Sequence, residues 1–232
     1  MTTQECNYNE LFNRLNPYDS NYIDYFISLI SQILLDRNKF VQSSNNDDKR
    51  IDFYNILREK IRKLNAKKIE YIDSGHSTLS FKIGDKVLKI GKGKTKRKRN
   101  LDNIPVLIPL FEDECYEIAP DEFYTLQITP YVSILDISDE DVYQTYKKLR
   151  DLGYIWNDPT LDNTGRIIEE MDYNGHHYKK GDLVIIDLED IAYIGLEETP
   201  DYIMEEISIS SYNSNVYKFE TRYTKEKWPK TK

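Results

Sequence analysis

The chain predicts an α+β fold, helices first and an antiparallel sheet after them, and two changes of period carry that reading. Apolar residues recur at helical steps between Ile23 and Leu64, alternate with polar residues from Lys68, and return to helical steps between Val142 and Leu152. With 232 residues, 39% hydrophobic and 31% charged, the chain has room for one sizeable domain or two small lobes.

Ile23, Phe26, Ile27, Ile30, Ile33 and Leu34 lay one apolar stripe on a helix over about 21–37. The run 42–48 is wholly polar and rich in residues that bond their own backbone, so a loop is expected there. A second helix follows, with Tyr54, Leu57, Ile61 and Leu64 inward and Arg58, Glu59, Lys60, Arg62 and Lys63 mostly outward. Strands then come at Ile69–Tyr71, at Leu79–Ile83 and, after the Gly84-Asp85 turn, at Val87–Ile90, which makes an antiparallel meander. Further strands are expected over 106–111, 115–118 and 123–132. Ser138 followed by Asp139, Glu140 and Asp141 caps a helix that runs to Gly153. Beyond it, 166–170 and 182–186 read as two strands joined through Asn174-Gly175, with 187–194 prolonging the second. Thr199-Pro200 can open one short further helix.

Lys and Arg number 32 against 40 Asp and Glu, a net charge of −8, which disfavours any general attraction to nucleic acid or an anionic membrane. Cys6 and Cys115 are too few for a disulfide-stapled domain and form no C-x-x-C pair for zinc, so a reducing, cytoplasmic setting is expected. The start of the chain has no basic region of the signal-peptide kind. The longest apolar stretch, 22–35, is broken by Asp24, Ser28, Ser31 and Gln32 and falls short of the roughly 20 residues a membrane span needs. His176-His177 follows a turn and lacks further ligands at metal spacing, which reads as a surface hairpin.

The chemistry concentrates where the capped helix stops. Leu149-x-x-x-Gly153 leads into Asp158, with Asn163 five positions on. An Asp and an Asn at that spacing are common in turns; the helix, glycine and strand around them make the pattern specific. Downstream, Val184-Ile-Ile-Asp187 is a strand ending in a carboxylate; upstream, Val87-Leu88-Lys89 is a strand carrying a lysine, a residue seldom placed in a strand interior unless paired.

In that order these residues resemble the catalytic loop, D-F-G strand and V-A-I-K strand of the protein kinase-like superfamily, over roughly 69–194. The resemblance implies a two-lobed fold: an N-terminal helical extension over 1–66 packing on the rest, a small antiparallel N-lobe over 67–132, and a truncated, mainly helical C-lobe over 133–232. It implies ATP and Mg²⁺ as cofactors. Asp158 would orient the acceptor hydroxyl, Asn163 and Asp187 would hold Mg²⁺, and Lys89 would hold the α- and β-phosphates. Gly75, His76, Ser77 and Thr78 stand where the family keeps its glycine-rich phosphate loop, with one glycine in place of three, so an ordinary hairpin turn competes. Pro130 and Val132 stand where adenine is gripped by a carbonyl and an N–H, with Thr129 as a small gatekeeper.

Departures from the family pattern are as informative. Trp156 and Asn157 replace the His and Arg of the catalytic loop, and Leu188 and Glu189 replace the Phe and Gly after the metal-binding Asp. No acidic residue lies between Lys89 and Asp102 to pair with the lysine, so Glu59 on the second helix is the expected substitute. Gly93-Lys94-Thr95 mimics the end of a Walker A loop, but Leu88 stands where its first glycine belongs. The basic run Lys92 to Arg99 is either a solvated loop or a site for an acidic partner. The shortness of the chain after Asp187 resembles the minimal kinases among bacterial effectors. The function expected is transfer of phosphate from MgATP to a protein Ser or Thr hydroxyl. A pseudokinase scaffold for a protein partner and a small-molecule kinase are the alternatives.

Overall fold

The structure is a computed structural model and describes residues 8–37, 47–64, 68–74, 78–93, 101, 104–156, 158–188 and 191–193. They divide between two compact units, at positions 1–95 plus 110–131 and positions 96–109 plus 132–232. Both helices and antiparallel sheet are present, as an α+β chain requires.

The first unit is a five-stranded antiparallel sheet with helices on one face. Helices α1 (Tyr8–Asn13), α2 (Tyr22–Arg37) and α3 (Asp47–Lys63) precede strands β1 (Ile69–Ser74), β2 (Thr78–Ile83), β3 (Lys86–Lys92), β4 (Glu112–Ala119) and β5 (Glu122–Pro130), in the order β1-β2-β3-β5-β4. Phe26, Ile27, Ile30, Ile33 and Leu34 of α2 and Phe53, Leu57 and Ile61 of α3 share one buried core with Leu79, Phe81, Ile83, Leu88, Ile90, Tyr124, Leu126 and Ile128 of the sheet. The helical and the alternating period each put their apolar set on the shared interface. The rings of Phe12, Phe26 and Phe81 meet at centroid distances of 4.9 to 5.4 Å, which ties α1 into that core.

Three details differ from the sequence expectation. Helix α1 has no counterpart in it, being too short to display a period. Asp47 and Asp48 open α3 instead of ending a loop, because acidic residues are favoured at a helix N-terminus; 41–46 lie outside the described residues. Phe53, more than the half-buried Tyr54, is the aromatic on the inner face of α3. The Gly84-Asp85 turn is as expected, with Gly84 at φ 63° and Asp85 on the ordinary side, the II′ pattern that suits a two-residue hairpin.

In the second unit, α4 (Asp139–Asp151) packs Val142, Tyr146 and Leu149 against Leu101, Ile104, Leu107, Trp156, Ile185 and Ile191. Its start is a full capping box: Asp141 N–H donates to the Ser138 hydroxyl, and the Asp141 carboxylate accepts from Ser138 N–H. The helix stops at Gly153, whose φ of 83° a residue with a Cβ resists.

Short strands make up the rest: β6 (Val132–Ser133), β7 (Tyr154–Trp156), β8 (Thr164–Ile167), β9 (Met171–Tyr173), β10 (His176–Tyr178), β11 (Leu183–Ile185) and β12 (Ile191–Tyr193). They form a β11-β8-β6 sheet, a β9-β10 hairpin and a β7-β12 pair.

The mainly helical second lobe is therefore corrected for the described residues, which hold one helix and seven short strands there; the expected helix at 199–200 lies outside them. The expected strand over 106–111 shrinks to a single parallel bridge between Leu107 and Ile185, because Pro105 and Pro109 remove the N–H groups that would extend it. Asn174-Gly175 closes its own hairpin, both residues at positive φ, inserted between β8 and β11. Residues 187 and 188 do not prolong β11, and β12 pairs with β7; 189, 190 and 194 lie outside the described residues. No helix among the described residues is long and apolar enough to cross a membrane.

Candidate functional site

Asp158 and Asn163 are brought together by the loop that separates β7 from β8. Trp156, fully buried in the core of the second unit, anchors the start of that loop. The far end is closed by backbone bonds from Asn163 N–H to the Thr160 carbonyl (3.3 Å) and from Thr164 N–H to Leu161 (3.2 Å), and by the buried Thr164 hydroxyl donating to Thr160 (3.1 Å). Inside this turn Asn163 Nδ2 donates to Asp158 Oδ2 at 2.8 Å and to the Asp158 carbonyl at 3.1 Å. Both partners are acceptors, so the chemistry itself fixes which end of the amide is nitrogen. Asn163 Oδ1 is thereby turned away from Asp158, an acceptor oxygen held in a set direction.

Asp187 belongs to the same end of the same ladder. Strands β8 and β11 pair with Thr164 opposite Ile185, and the ladder gains one more rung because Ile186 N–H donates to the Asn163 carbonyl at 3.0 Å. An antiparallel pair sets the residue before one strand beside the residues that follow the other. The half-buried Asp187 follows one residue beyond that rung, separated in sequence from Asn163 by the whole of β8 to β11.

The donors suit a hard cation that keeps other ligands. Among the described residues no group of three or more His, Cys, Asp or Glu side chains could cage a metal. One carboxylate and one amide oxygen, with phosphate and water supplying the remainder, is the kind of partial protein set Mg²⁺ takes beside a nucleotide.

In the first unit Lys89 sits at the centre of the sheet, on the face away from the helices. Its neighbours Leu88 and Ile90 belong to the helix-covered core, and alternation turns Lys89 to the other side. Successive registers place Asp73, Ser80, Lys89, Gln127 and Asp113 in one row across all five strands. Two positions along, on the same face, Thr78, Gly91 and Thr125 are aligned. A Cβ on Gly91 would lie 2.4 Å from Thr125 Oγ1 and 3.6 Å from Thr78 Oγ1, so bare backbone is framed by two hydroxyls.

The expected Glu59–Lys89 pair is not formed. Glu59 is exposed and pairs with Arg62 at 3.1 Å, one turn along its own helix, and α3 covers the opposite face of the sheet from Lys89. Helical outward spacing, read from the sequence as mostly solvent-facing, governs Glu59. The inward cation of α3 is Lys60, whose ammonium meets Glu112 and, at 3.0 Å, Glu114 of β4.

Pro130 ends β5 opposite Lys86, and Val132 begins β6 opposite Ile167; both are buried and flank Tyr131, whose N–H donates to the Asp85 carbonyl at 2.7 Å. Thr129 is buried, and its hydroxyl has no hydrogen-bond partner among the described residues. Gly75, His76 and Ser77 lie outside the described residues, and Thr78 is the first residue of β2. Of the basic run, Lys92 ends β3, Gly93 follows it at a bend, and 94–99 lie outside the described residues.

Sequence reasoning missed Gln127, opposite Lys89, and Asp113, opposite Gln127, whose places in the row depend on strand register. The alternation of β5 was legible, but not its alignment with β3 and β4. No protein-family model matches the chain, and no curated protein sequence matches it significantly.

Proposed function

We propose that the chain is an ATP- and Mg²⁺-dependent phosphotransferase of two-lobed, protein kinase-like fold, acting on a Ser or Thr hydroxyl of a protein. One observation carries the reading: Asn163 spends its amide nitrogen on Asp158 while its backbone carbonyl accepts from Ile186, the residue before Asp187. A proton acceptor and one oxygen donor thus share one turn, and the second carboxylate follows the residue bonded to it, an order that phosphoryl transfer can use.

Asp158 accepts the proton of the acceptor hydroxyl as its oxygen bonds to the γ-phosphorus; the bond to the β-phosphate oxygen breaks and ADP leaves. Asn163 Oδ1 and the Asp187 carboxylate would hold Mg²⁺, which supplies neutralisation of phosphate charge when bound. Lys89, with the Thr78 and Thr125 hydroxyls two positions along on the same face, offers an ammonium and two O–H donors to the phosphates.

Purified protein incubated with labelled ATP and a cell lysate should label protein, and Asp187→Ala and Asp158→Asn should abolish it. Labelling unchanged by either substitution overturns the proposal. Label found only in small molecules moves the assignment to a small-molecule kinase. The outward position of Glu59 favours a second reading, a pseudokinase scaffold, because the carboxylate expected from that helix is directed elsewhere. MgATP titrated during thermal unfolding separates the two: a rise in Tm that Lys89→Ala removes supports a working nucleotide site, and no rise supports the scaffold.

A further inference from the structure

Tyr131, which closes the first unit, is held twice by one hairpin. Its N–H donates to the Asp85 carbonyl in the β2-β3 turn at 2.7 Å, and the ammonium of Lys82, near the end of β2, lies 4.0 Å from the centroid of its ring. Alternation puts Lys82 in place: Leu79, Phe81 and Ile83 belong to the helix-covered core, so Thr78, Ser80 and Lys82 stand on the other face of the sheet. Lys86, across the same turn, is engaged elsewhere, 3.2 Å from the Asp85 carboxylate and 5.9 Å from the centre of the Phe111 ring. The two ends of a trans peptide point in opposite directions, so the bond that ties Tyr131 N–H to the turn also aims the Pro130 carbonyl away from it. Proline fixes its own φ, and the clamped ring gives the residue that follows a second point of attachment, so this carbonyl is an acceptor with a set direction.

We propose that Lys82 is a positioning residue for the base end of the nucleotide: by clamping the Tyr131 ring it holds the Pro130–Tyr131 peptide in the orientation that presents the Pro130 carbonyl to the amino group of the base. The proposal rests on the phosphotransferase reading above, with adenine beside Pro130. A main-chain acceptor cannot be tuned by its own side chain, and its direction is therefore set by whatever fastens its neighbour. Here the turn fastens the backbone of Tyr131 and Lys82 fastens the ring. The lysine acts through the aromatic residue and not through its charge on the phosphates.

Hydrogen exchange and calorimetry on the full chain test the inference in two independent arms. Without nucleotide, Lys82→Met should speed exchange of the Tyr131 amide about threefold to fivefold, the size of one partly exposed cation–ring contact, and Lys82→Arg, which keeps a cation over the ring, should leave it within about 1.5-fold. An unchanged Tyr131 amide in Lys82→Met overturns the clamp, whatever the chain binds. In calorimetry Lys82→Met should weaken MgATP binding by a similar factor and Lys82→Arg should restore it. In a Tyr131→Leu background Lys82→Met should change binding by less than about 1.5-fold, because the ring it acts through is gone. A loss of equal size with and without the ring shows that the lysine acts by its charge, which overturns the positioning role while leaving the nucleotide site standing. Faster exchange in Lys82→Met with no MgATP binding by the parent chain overturns the assignment to a base, and the phosphotransferase reading with it.

Discussion

Asn163→Asp is the sharpest perturbation of the loop, because it replaces one NH2 by an oxygen and leaves the volume almost unchanged. In the parent turn the amide makes a 2.8 Å bond to a carboxylate oxygen and a 3.1 Å bond to a carbonyl. The first belongs to the class worth about 1.5 to 3 kcal/mol and the second to the class worth about 1 kcal/mol, so their loss costs roughly 3 kcal/mol. The substitution also sets two carboxylates against each other, at an interaction of about 4 kcal/mol if both stay ionised at 4 Å in a partly polar site. Rotation of the half-buried side chains and uptake of a shared proton relieve most of that.

A carboxyl whose pKa is raised in the folded state contributes its stability at low pH and loses it as pH rises through the raised value. The variant should therefore be weakened by about 3 kcal/mol at pH 8 and by roughly 1 kcal/mol near pH 4, where a shared proton restores one bond. Urea unfolding followed by the fluorescence of Trp156, fully buried in the same unit, reads this once Trp228 is replaced by Phe. With a slope of about 1 to 3 kcal/mol per molar, the midpoint should fall by about 1 to 3 M at pH 8. A midpoint that moves by less than about 0.3 M at pH 8, or by the same amount at both pH values, refutes the coupling of Asn163 to Asp158.

Three further outcomes are expected. Gly165→Ala would bring a Cβ to 2.5 Å from Val132 Cγ2 and 3.2 Å from Ile186 Cγ2, so Tm should drop by the equivalent of about 1 to 3 kcal/mol, and Val132→Ala should recover much of it; a neutral Gly165→Ala would show the packing is looser than described. Burial pushes the Tyr178 hydroxyl up to about 12 from 10.0. That stabilisation is complete below pH 10 and lost as pH climbs to 12, on the order of 2 kcal/mol, whereas Tyr178→Phe gives up about 1 kcal/mol of hydrogen bond to Leu107 at every pH; the two stability curves should cross in that window, and parallel curves refute the assignment. At Glu114 burial opposes ionisation, but hydrogen bonds from Tyr116 and Lys60 outweigh it and hold the carboxyl below its usual range. Lys60→Met should cost about 1 kcal/mol at neutral pH, given the partial exposure of both glutamates, and less below pH 4, where the parent loses the same contribution; an equal cost at both pH values contradicts the pairing.

Local signals that involve neighbouring residues were readable from the chain alone. The apolar stripe of α2, the Ser138 capping box, the Gly84-Asp85 turn and the stop at Gly153 each depend on contacts within a few positions, and each is where the sequence puts it. Long-range register was not readable. The row from Asp73 to Asp113 joins five strands whose alignment is decided by the packed core beneath them, and Glu59 was misplaced because helix periodicity tells which residues share a face but not which face of the sheet receives it. The β9-β10 hairpin shows a third limit: Asn174-Gly175 announces a turn without saying which strands it closes. Of the candidate site, the five-position spacing of Asp158 and Asn163 was legible, and the orientation of the Asn163 amide was not, since it depends on atoms rather than residue types.

Tyr22 reaches from α2 to the outermost strand of the first sheet, where its hydroxyl accepts from Ile69 N–H at 2.9 Å and donates to the Ile69 carbonyl at 3.2 Å. Those two backbone groups are the ones a stray strand from another molecule would need in order to zip onto that border. By occupying both with its own side chain, the protein seals the point where an open ladder begins, and the same contact that fastens a helix also keeps crowded copies from adhering to one another.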